Sequence, residues 1–129
     1  MSLSKRIILT VRDYTVRLSS PIKLYQNDQI YLIFEINKCG IDVDGMDNQY
    51  ETIMPINPLK ANLFFETPLG TDSVESGEIV DNTVVFHLTS EQTQHIGVSR
   101  MQIQLTDGDC CRLTLPPFEF EIQKGIYNK

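Results

Sequence analysis

Hydrophobic and polar residues alternate with a period of two along much of this chain, and no segment keeps the period of an α-helix. Such alternation places apolar side chains on one face of a β-strand and polar side chains on the other. Clear runs predict strands with one buried face at residues 30–36, 84–88, 101–106 and 118–123. Weaker runs predict strands at residues 7–12, 22–25, 59–67, 77–80 and 111–115.

Turn residues between these runs indicate short connections. Asp107-Gly108 and Asp81-Asn82 each predict a two-residue hairpin turn, since Gly and Asn tolerate the positive φ that such turns require. Pro68-Leu69-Gly70 closes the strand that precedes it. Pro116-Pro117 marks a break between strands, because proline cannot donate a hydrogen bond to a ladder.

One short helical turn is predicted from Ser90 to His95. Thr89 and Gln92 form a capping-box pattern, and Gly97 suits the end of the turn. Eight or nine short strands with one such turn predict an all-β fold, an antiparallel two-sheet β-sandwich of the immunoglobulin-like kind. The length of 129 residues fits a single domain, 1–129.

The stretch 38–58 departs from this pattern. It holds two glycines, two prolines and several acidic and amide residues without a clear period. We predict a long loop here, with a short edge strand at 51–54. A loop of this length within a compact domain is often functional, so we expect it to supply a contact surface, although no individual partner-binding residue is predicted.

The charge balance argues against some classes of partner. Lys and Arg number 11 against 17 Asp and Glu, and the net charge of −6 disfavours non-specific binding to nucleic acid or to an anionic membrane. No apolar run approaches the roughly 18 residues of a membrane helix. Cys39, Cys110 and Cys111 are an odd set with an adjacent pair, which predicts no disulfide framework and folding in a reducing cytoplasm.

The acidic run 42–48 is a candidate calcium loop. Oxygen ligands spaced along a tight loop suit that ion. An EF-hand would place its third ligand at Met46 and its glycine at Asp47, so the spacing does not match. We interpret the run as a solvated turn.

Catalytic and zinc chemistry has little support in the sequence. The three cysteines could join His87 and His95 in a site, but C-x-x-C and H-x-x-x-H spacings and nucleophile motifs are absent. Glu119 and Glu121 alternate with phenylalanines, as the wet face of a strand does. We therefore predict no catalytic, cofactor-binding or metal-binding residue.

Tyrosines are the candidates for a carbohydrate-binding surface, since sugar platforms use exposed aromatic rings. Tyr14, Tyr25, Tyr31 and Tyr50 could form such a surface, and the chain has no Trp to extend it. We interpret these residues as core rims and loop anchors.

Five segments carry motifs in a set order. Segment 25–37 has a Gln-Asn-Asp turn before a long strand, 62–70 a Phe-rich strand with a Pro–Gly turn, and 81–89 with Gly97 a Phe-x-Leu strand before a helical turn. Segment 101–108 has an alternating strand with an Asp-Gly turn, and 117–122 a Phe-x-Phe-x-Ile ending. This order resembles the N-terminal domain of phage baseplate upper proteins, found at the head of many tail-fibre-like proteins of phages that infect Gram-positive bacteria, in which the first turn is Gln-Gly-Asp-like. Two departures are Asn27 in place of the usual Gly and the longer stretch 38–58.

The resemblance implies a structural function without enzyme activity or cofactor. Such a domain, as the N-terminal module of a longer protein, anchors a baseplate or tail-fibre (host-adsorption) protein to the phage baseplate. The implied partners are other baseplate proteins and further copies of the chain, often as trimers, and the implied location is the virion, with assembly in the host cytoplasm. Two alternatives stay open: a carbohydrate- or cell-surface-binding β-sandwich, and a small hydrolase or metal-dependent enzyme.

Overall fold

A computed structural model of the protein describes residues 4–54, 58–107 and 112–126. The described chain contains strands and turns but no helix. The strands are β1 (Ser4–Arg12), β2 (Thr15–Leu18), β3 (Ile22–Tyr25), β4 (Ile30–Val43), β5 (Gln49–Met54), β6 (Lys60–Thr67), β7 (Gly70–Glu75), β8 (Ile79–Val80), β9 (Thr83–Leu88), β10 (Gly97–Thr106), β11 (Arg112–Thr114) and β12 (Phe118–Gln123).

The strands form two six-stranded sheets, which confirms the predicted β-sandwich. The first sheet has the order β2-β1-β4-β9-β8, with β5 added to β4, and the second has the order β3-β12-β10-β6-β7, with β11 added to β10. The pairs β1–β4 and β3–β12 are parallel, so the expectation of purely antiparallel sheets needs correction. Because the chain leaves the first sheet after β2 and returns as β4, no hairpin forces those neighbours to be antiparallel.

The core lies between the sheets and is built from the predicted alternation. Leu32, Phe34 and Ile36 of β4 are completely buried. The Phe34 ring lies 6.0 Å from that of Phe86 in the same sheet and 5.7 Å from that of Phe118 in the opposite sheet, measured between ring centroids. These aromatic contacts join the two layers at the middle of the sandwich.

The stretch 38–58 is not the long loop that its composition predicts. β4 continues through Lys38 to Val43 and pairs antiparallel with β5, from Lys38–Met54 to Val43–Gln49. The predicted edge strand at 51–54 lies inside β5. The reason for the error is a change of face: the apolar residues of β4 occupy even positions up to Ile36 and odd positions from Cys39 onward.

The predicted helical turn is a single hydrogen-bonded turn. Gln92 N–H donates to the Thr89 carbonyl at 3.0 Å, and the Gln92 side-chain oxygen accepts from Thr89 N–H at 2.9 Å, which is half of the expected capping box. The turn does not continue as a helix, and the Thr93 carbonyl instead accepts a hydrogen bond from Asn27 N–H at 3.2 Å.

The two predicted hairpin turns have different outcomes. Val80 pairs with Thr83, so Asp81-Asn82 is a two-residue turn, and Asp81 has a φ of 53°. Gly108 of the Asp107-Gly108 turn lies outside the described residues, as do Cys110 and Cys111.

Candidate docking surface

A two-stranded arm extends from the first sheet. We define the arm as residues 38–54: the second half of β4, the turn 44–48 and β5. Within the described ranges, β5 pairs with β4 and with no other strand. The arm therefore offers a sheet edge and two sheet faces beyond the buried core.

The tip of the arm is shaped by one carboxylate. Asp44 Oδ1 accepts hydrogen bonds from Met46 N–H at 2.8 Å and from Asn48 N–H at 3.0 Å. These bonds hold the pKa of the Asp44 carboxyl below its ordinary value. Asp47 takes a φ of 62°, which an Asp tolerates better than most residues. Asp44, which belongs to the candidate calcium loop, thus uses its carboxylate to close the turn at the tip of the arm.

The base of the arm is held by an ion pair. Arg12 of β1 reaches Glu51 of β5 with three nitrogen–oxygen distances of 2.7, 3.0 and 3.1 Å. This bidentate bond lowers the pKa of Glu51 and raises that of Arg12. Cys39 of β4 is half-buried on the same face of the sheet. The contact ties β1 to β5 across β4, so the arm is fixed at its base to the sandwich.

Apolar side chains are exposed along the arm. Ile41 is 73% exposed, Met46 83% and Val43 51%, and half of Tyr50 also faces solvent. Ile41 and Val43 share the outer face of β4 with Cys39, because residues two apart lie on the same side of a strand. Ile41 and Val43 thus form an exposed apolar pair on one face of the arm, and such exposure on an ordered element suits a contact surface.

The outer face of the first sheet continues below the arm. The Tyr31 and His87 rings stack with their centroids 4.5 Å apart and their planes 24° apart. Arg6 pairs with Glu35 at 3.1 Å in the next rows of the same face. The His87 ring thus packs on Tyr31 at the surface of the first sheet. Cys39 lies eight residues beyond Tyr31 along β4, or about 26 Å, so it does not meet this histidine.

Charged and amide side chains line much of the outer face of the second sheet. Arg100 of β10 binds Glu66 of β6 with distances of 2.7 and 3.3 Å, which lowers the pKa of Glu66. Glu119 and Glu121 line the same face of β12. Gln123 donates weakly to both carboxylate oxygens of Glu121, at 3.3 and 3.4 Å. Glu66 and Glu121 thus make hydrogen bonds along the surface of the second sheet.

The remaining candidate residues are dispersed. Tyr14, in the turn between β1 and β2, is 92% exposed, and Tyr25 lies at the end of β3 in the other sheet. With Tyr31 and Tyr50 they occupy four different elements. In the described part of the chain, no three His, Cys, Asp or Glu side chains group closely enough to hold a metal ion. Half-buried His95 lies between the Thr89 turn and β10.

Hydrogen bonds that the sequence did not predict join two turns at the end of the sandwich. Thr93 is completely buried, and its hydroxyl donates to the Asp28 carbonyl at 2.7 Å. The Gln26 side chain donates to the Gln94 carbonyl at 2.9 Å. Asn27 has a φ of 69°, which agrees with its place at the usual glycine of the resembled turn. The turn 25–28 is closed by its own bond from Asp28 N–H to the Tyr25 carbonyl, and Thr93, a residue without a local sequence signal, joins it to the neighbouring turn.

Comparison with solved structures shows where this fold occurs. The structure is similar to the N-terminal domain of phage TP901-1 ORF48, with a TM-score of 0.63 over 95% of this chain and 99% of that chain. The two sequences are 12% identical, so the likeness establishes a shared fold. No protein-family model matches the sequence, and no curated protein matches it. A search of the described residues for helices able to cross a membrane finds none.

Proposed function

We propose that this domain is a structural module of a phage virion, which anchors a baseplate or tail-fibre (host-adsorption) protein to the baseplate. In this proposal it is the N-terminal module of a longer protein, acts without catalysis, and binds other baseplate proteins and further copies of itself. Its place is the tail of the virion, after assembly in the host cytoplasm.

The shared fold carries the proposal. A likeness that covers 95% of the chain extends to the whole sandwich rather than to one motif, and the similar structure is itself an N-terminal domain of a phage protein. The motif order of the sequence resembles the same kind of domain. The arm gives this scaffold an ordered, exposed surface of the sort that docking requires, since it combines apolar Ile41 and Met46 with a base fixed by Arg12.

The test is incorporation into particles. In a phage that encodes the protein, the full-length chain is replaced by one that lacks residues 4–126, and purified virions are analysed by quantitative mass spectrometry and electron microscopy. We expect the truncated protein to be missing from the virions. A matched pair of point variants serves as control: Leu63→Asp places a charge in the core, and Asn62→Asp places the same charge on the outer face of β6.

Normal incorporation of the truncated protein would overturn the anchoring role. If such particles then failed to bind host cell walls, the carbohydrate- or surface-binding alternative would replace it. The structure gives that alternative no specific support, because Tyr14, Tyr25, Tyr31 and Tyr50 lie on separate elements.

A further inference from the structure

The edges of the two sheets differ in how they are protected from pairing with other strands. Native sheets protect their edges with charged side chains or by keeping the edge strands short. Edge strand β2 carries Arg17, β3 carries Lys23, and β7 carries Asp72 and Glu75. β8 has two residues, and the three-residue β11 begins at Arg112. Each of these described edges is thus charged or short.

β5 lacks that protection. It is six residues long and contains neither Lys nor Pro. Its one charged residue, Glu51, is paired with Arg12 at 2.7 Å, so the edge presents little net charge. Within the described ranges β5 pairs along one side, with β4. A long edge with this composition is a template for a further strand.

We propose that two copies of the chain pair antiparallel along β5, with Thr52 at the two-fold axis. A two-fold axis perpendicular to the sheet places one residue opposite its own copy. With Glu51 at the axis, two carboxylates would face each other and repel. With Thr52 at the axis, Glu51 lies opposite position 53 of the other copy, and two threonines, a favourable cross-strand pair, meet at the centre.

A second copy suits this edge better than a strand of a different protein. Isologous pairing uses the same edge of both copies, so one contact covers two unprotected strands. The edge also offers little charge by which to select a foreign strand, because Arg12 already neutralises Glu51. The pairing joins the two first sheets into one continuous sheet through their arms.

The contact is small, so the dimer should be weak. Two six-residue strands bury less than the roughly 1,200 Å² of a standard interface, and we expect a dissociation constant on the order of micromolar, within the concentrations of the experiment below. This inference rests on the self-association in the proposed function, to which it gives a geometry. It is independent of the anchoring role, because it concerns how two copies join and not where they attach. Particle incorporation tests the anchoring, whereas sedimentation of the isolated chain tests the pairing.

The experiment is analytical ultracentrifugation of the chain across protein concentrations from about 1 to 500 µM. The wild type should show a dimer fraction that grows with concentration. Thr52→Lys places two like charges at the axis and should abolish the dimer at every concentration. Ser73→Lys makes the same change of net charge on the β7 edge and should leave dimerisation within twofold of the wild type. Far-UV circular dichroism confirms the fold of each variant.

A disulfide test reports the register even if Thr52→Lys fails to fold. In a background with Cys39, Cys110 and Cys111 changed to Ser, Thr52→Cys should form a covalent dimer when diamide oxidises the two facing thiols, and Ser73→Cys should not. A wild-type chain that stays monomeric up to 500 µM overturns the proposal. So does equal dimerisation of Thr52→Lys, or cross-linking no greater at 52 than at 73.

Discussion

Phe64 and Phe65 are neighbours on β6 with opposite orientations. Phe65 is 2% exposed, pairs with Met101 of β10 and meets the Phe120 ring edge-on at 6.4 Å. Phe64 is half-buried on the outer face, in a shallow pocket that Arg100 also lines. The same substitution at these two positions should therefore have very different consequences, and the difference measures the register of β6.

The magnitudes follow from the burial of each ring. Burying a phenylalanine side chain contributes about 1.5–3 kcal/mol. With the cavity that truncation leaves, we expect Phe65→Ala to lower the free energy of unfolding by about 3–5 kcal/mol. Phe64 keeps part of its ring in water and leaves no enclosed cavity, so Phe64→Ala should cost about 1 kcal/mol. A domain of this size has an unfolding free energy on the order of 10 kcal/mol.

Urea unfolding followed by far-UV circular dichroism checks this expectation. With a urea m-value of about 1–3 kcal/mol/M, Phe65→Ala should lower the midpoint by at least about 1 M, several times the effect of Phe64→Ala. If Phe65→Ala does not fold, the Leu variants of the two positions give the same comparison at smaller cost. Equal losses, or a larger loss at Phe64, would refute the register, because a one-residue slip exchanges the two faces of a strand.

Three further predictions concern turns and surface charge. Asn27→Gly should keep the free energy of unfolding within about 1 kcal/mol of the wild type. Asn27→Val should lower it by about 1–3 kcal/mol, because a β-branched residue is strained at a φ of 69°. Thermal unfolding of the two variants measures both effects. Arg100 holds the pKa of Glu66 below its ordinary 4.5, so Glu66→Gln should reduce stability at pH 7. The stability difference between the wild type and Glu66→Gln should vanish as the pH falls from 4.5 through the lowered pKa of Glu66. Urea titrations in which this difference grows in acid would contradict the pairing of Glu66 with Arg100. Asp44→Ala should speed amide hydrogen exchange at Met46 without changing global stability, and Asp44→Asn, which keeps an acceptor oxygen, should exchange more slowly than Asp44→Ala.

The sandwich could be predicted from the sequence because its central strands alternate large apolar residues with polar ones. Phe34, Phe86, Ile103 and Phe120 all lie in the core where the period of two places them. β2 and β7 were missed because edge strands bury little: Val74 is the one large apolar residue of β7. The parallel pairs were missed for another reason. Periodicity reports which face of a strand is buried and carries no information about its neighbours.

The arm could not be recognised as a continuation of β4 for a reason visible in its residues. Up to Ile36 the apolar positions face the second sheet, and from Cys39 onward they face outward, so the alternation changes phase within one regular strand. The alternation of Ile41 and Val43 with Gly40 and Asp42 was the available signal. That alternation predicts a new strand whose apolar side chains lie on the opposite face. It does not indicate that the same strand continues beyond the core.

The place where β4 leaves the core explains how an exposed arm keeps a defined position. Asn82 bonds Ile36 through both its backbone and its side chain, at 2.9 and 3.1 Å, and its amide also donates to Asn37 at 3.0 Å. The pairing of β4 with β9 thus ends at the turn before β9, just before the pairing of β4 with β5 begins. Ile36 is completely buried, and the Arg12–Glu51 pair holds the base of the arm from the β1 side. An arm held in this way is a continuation of a core strand, so a partner that binds it meets a prearranged surface and loses little affinity to ordering.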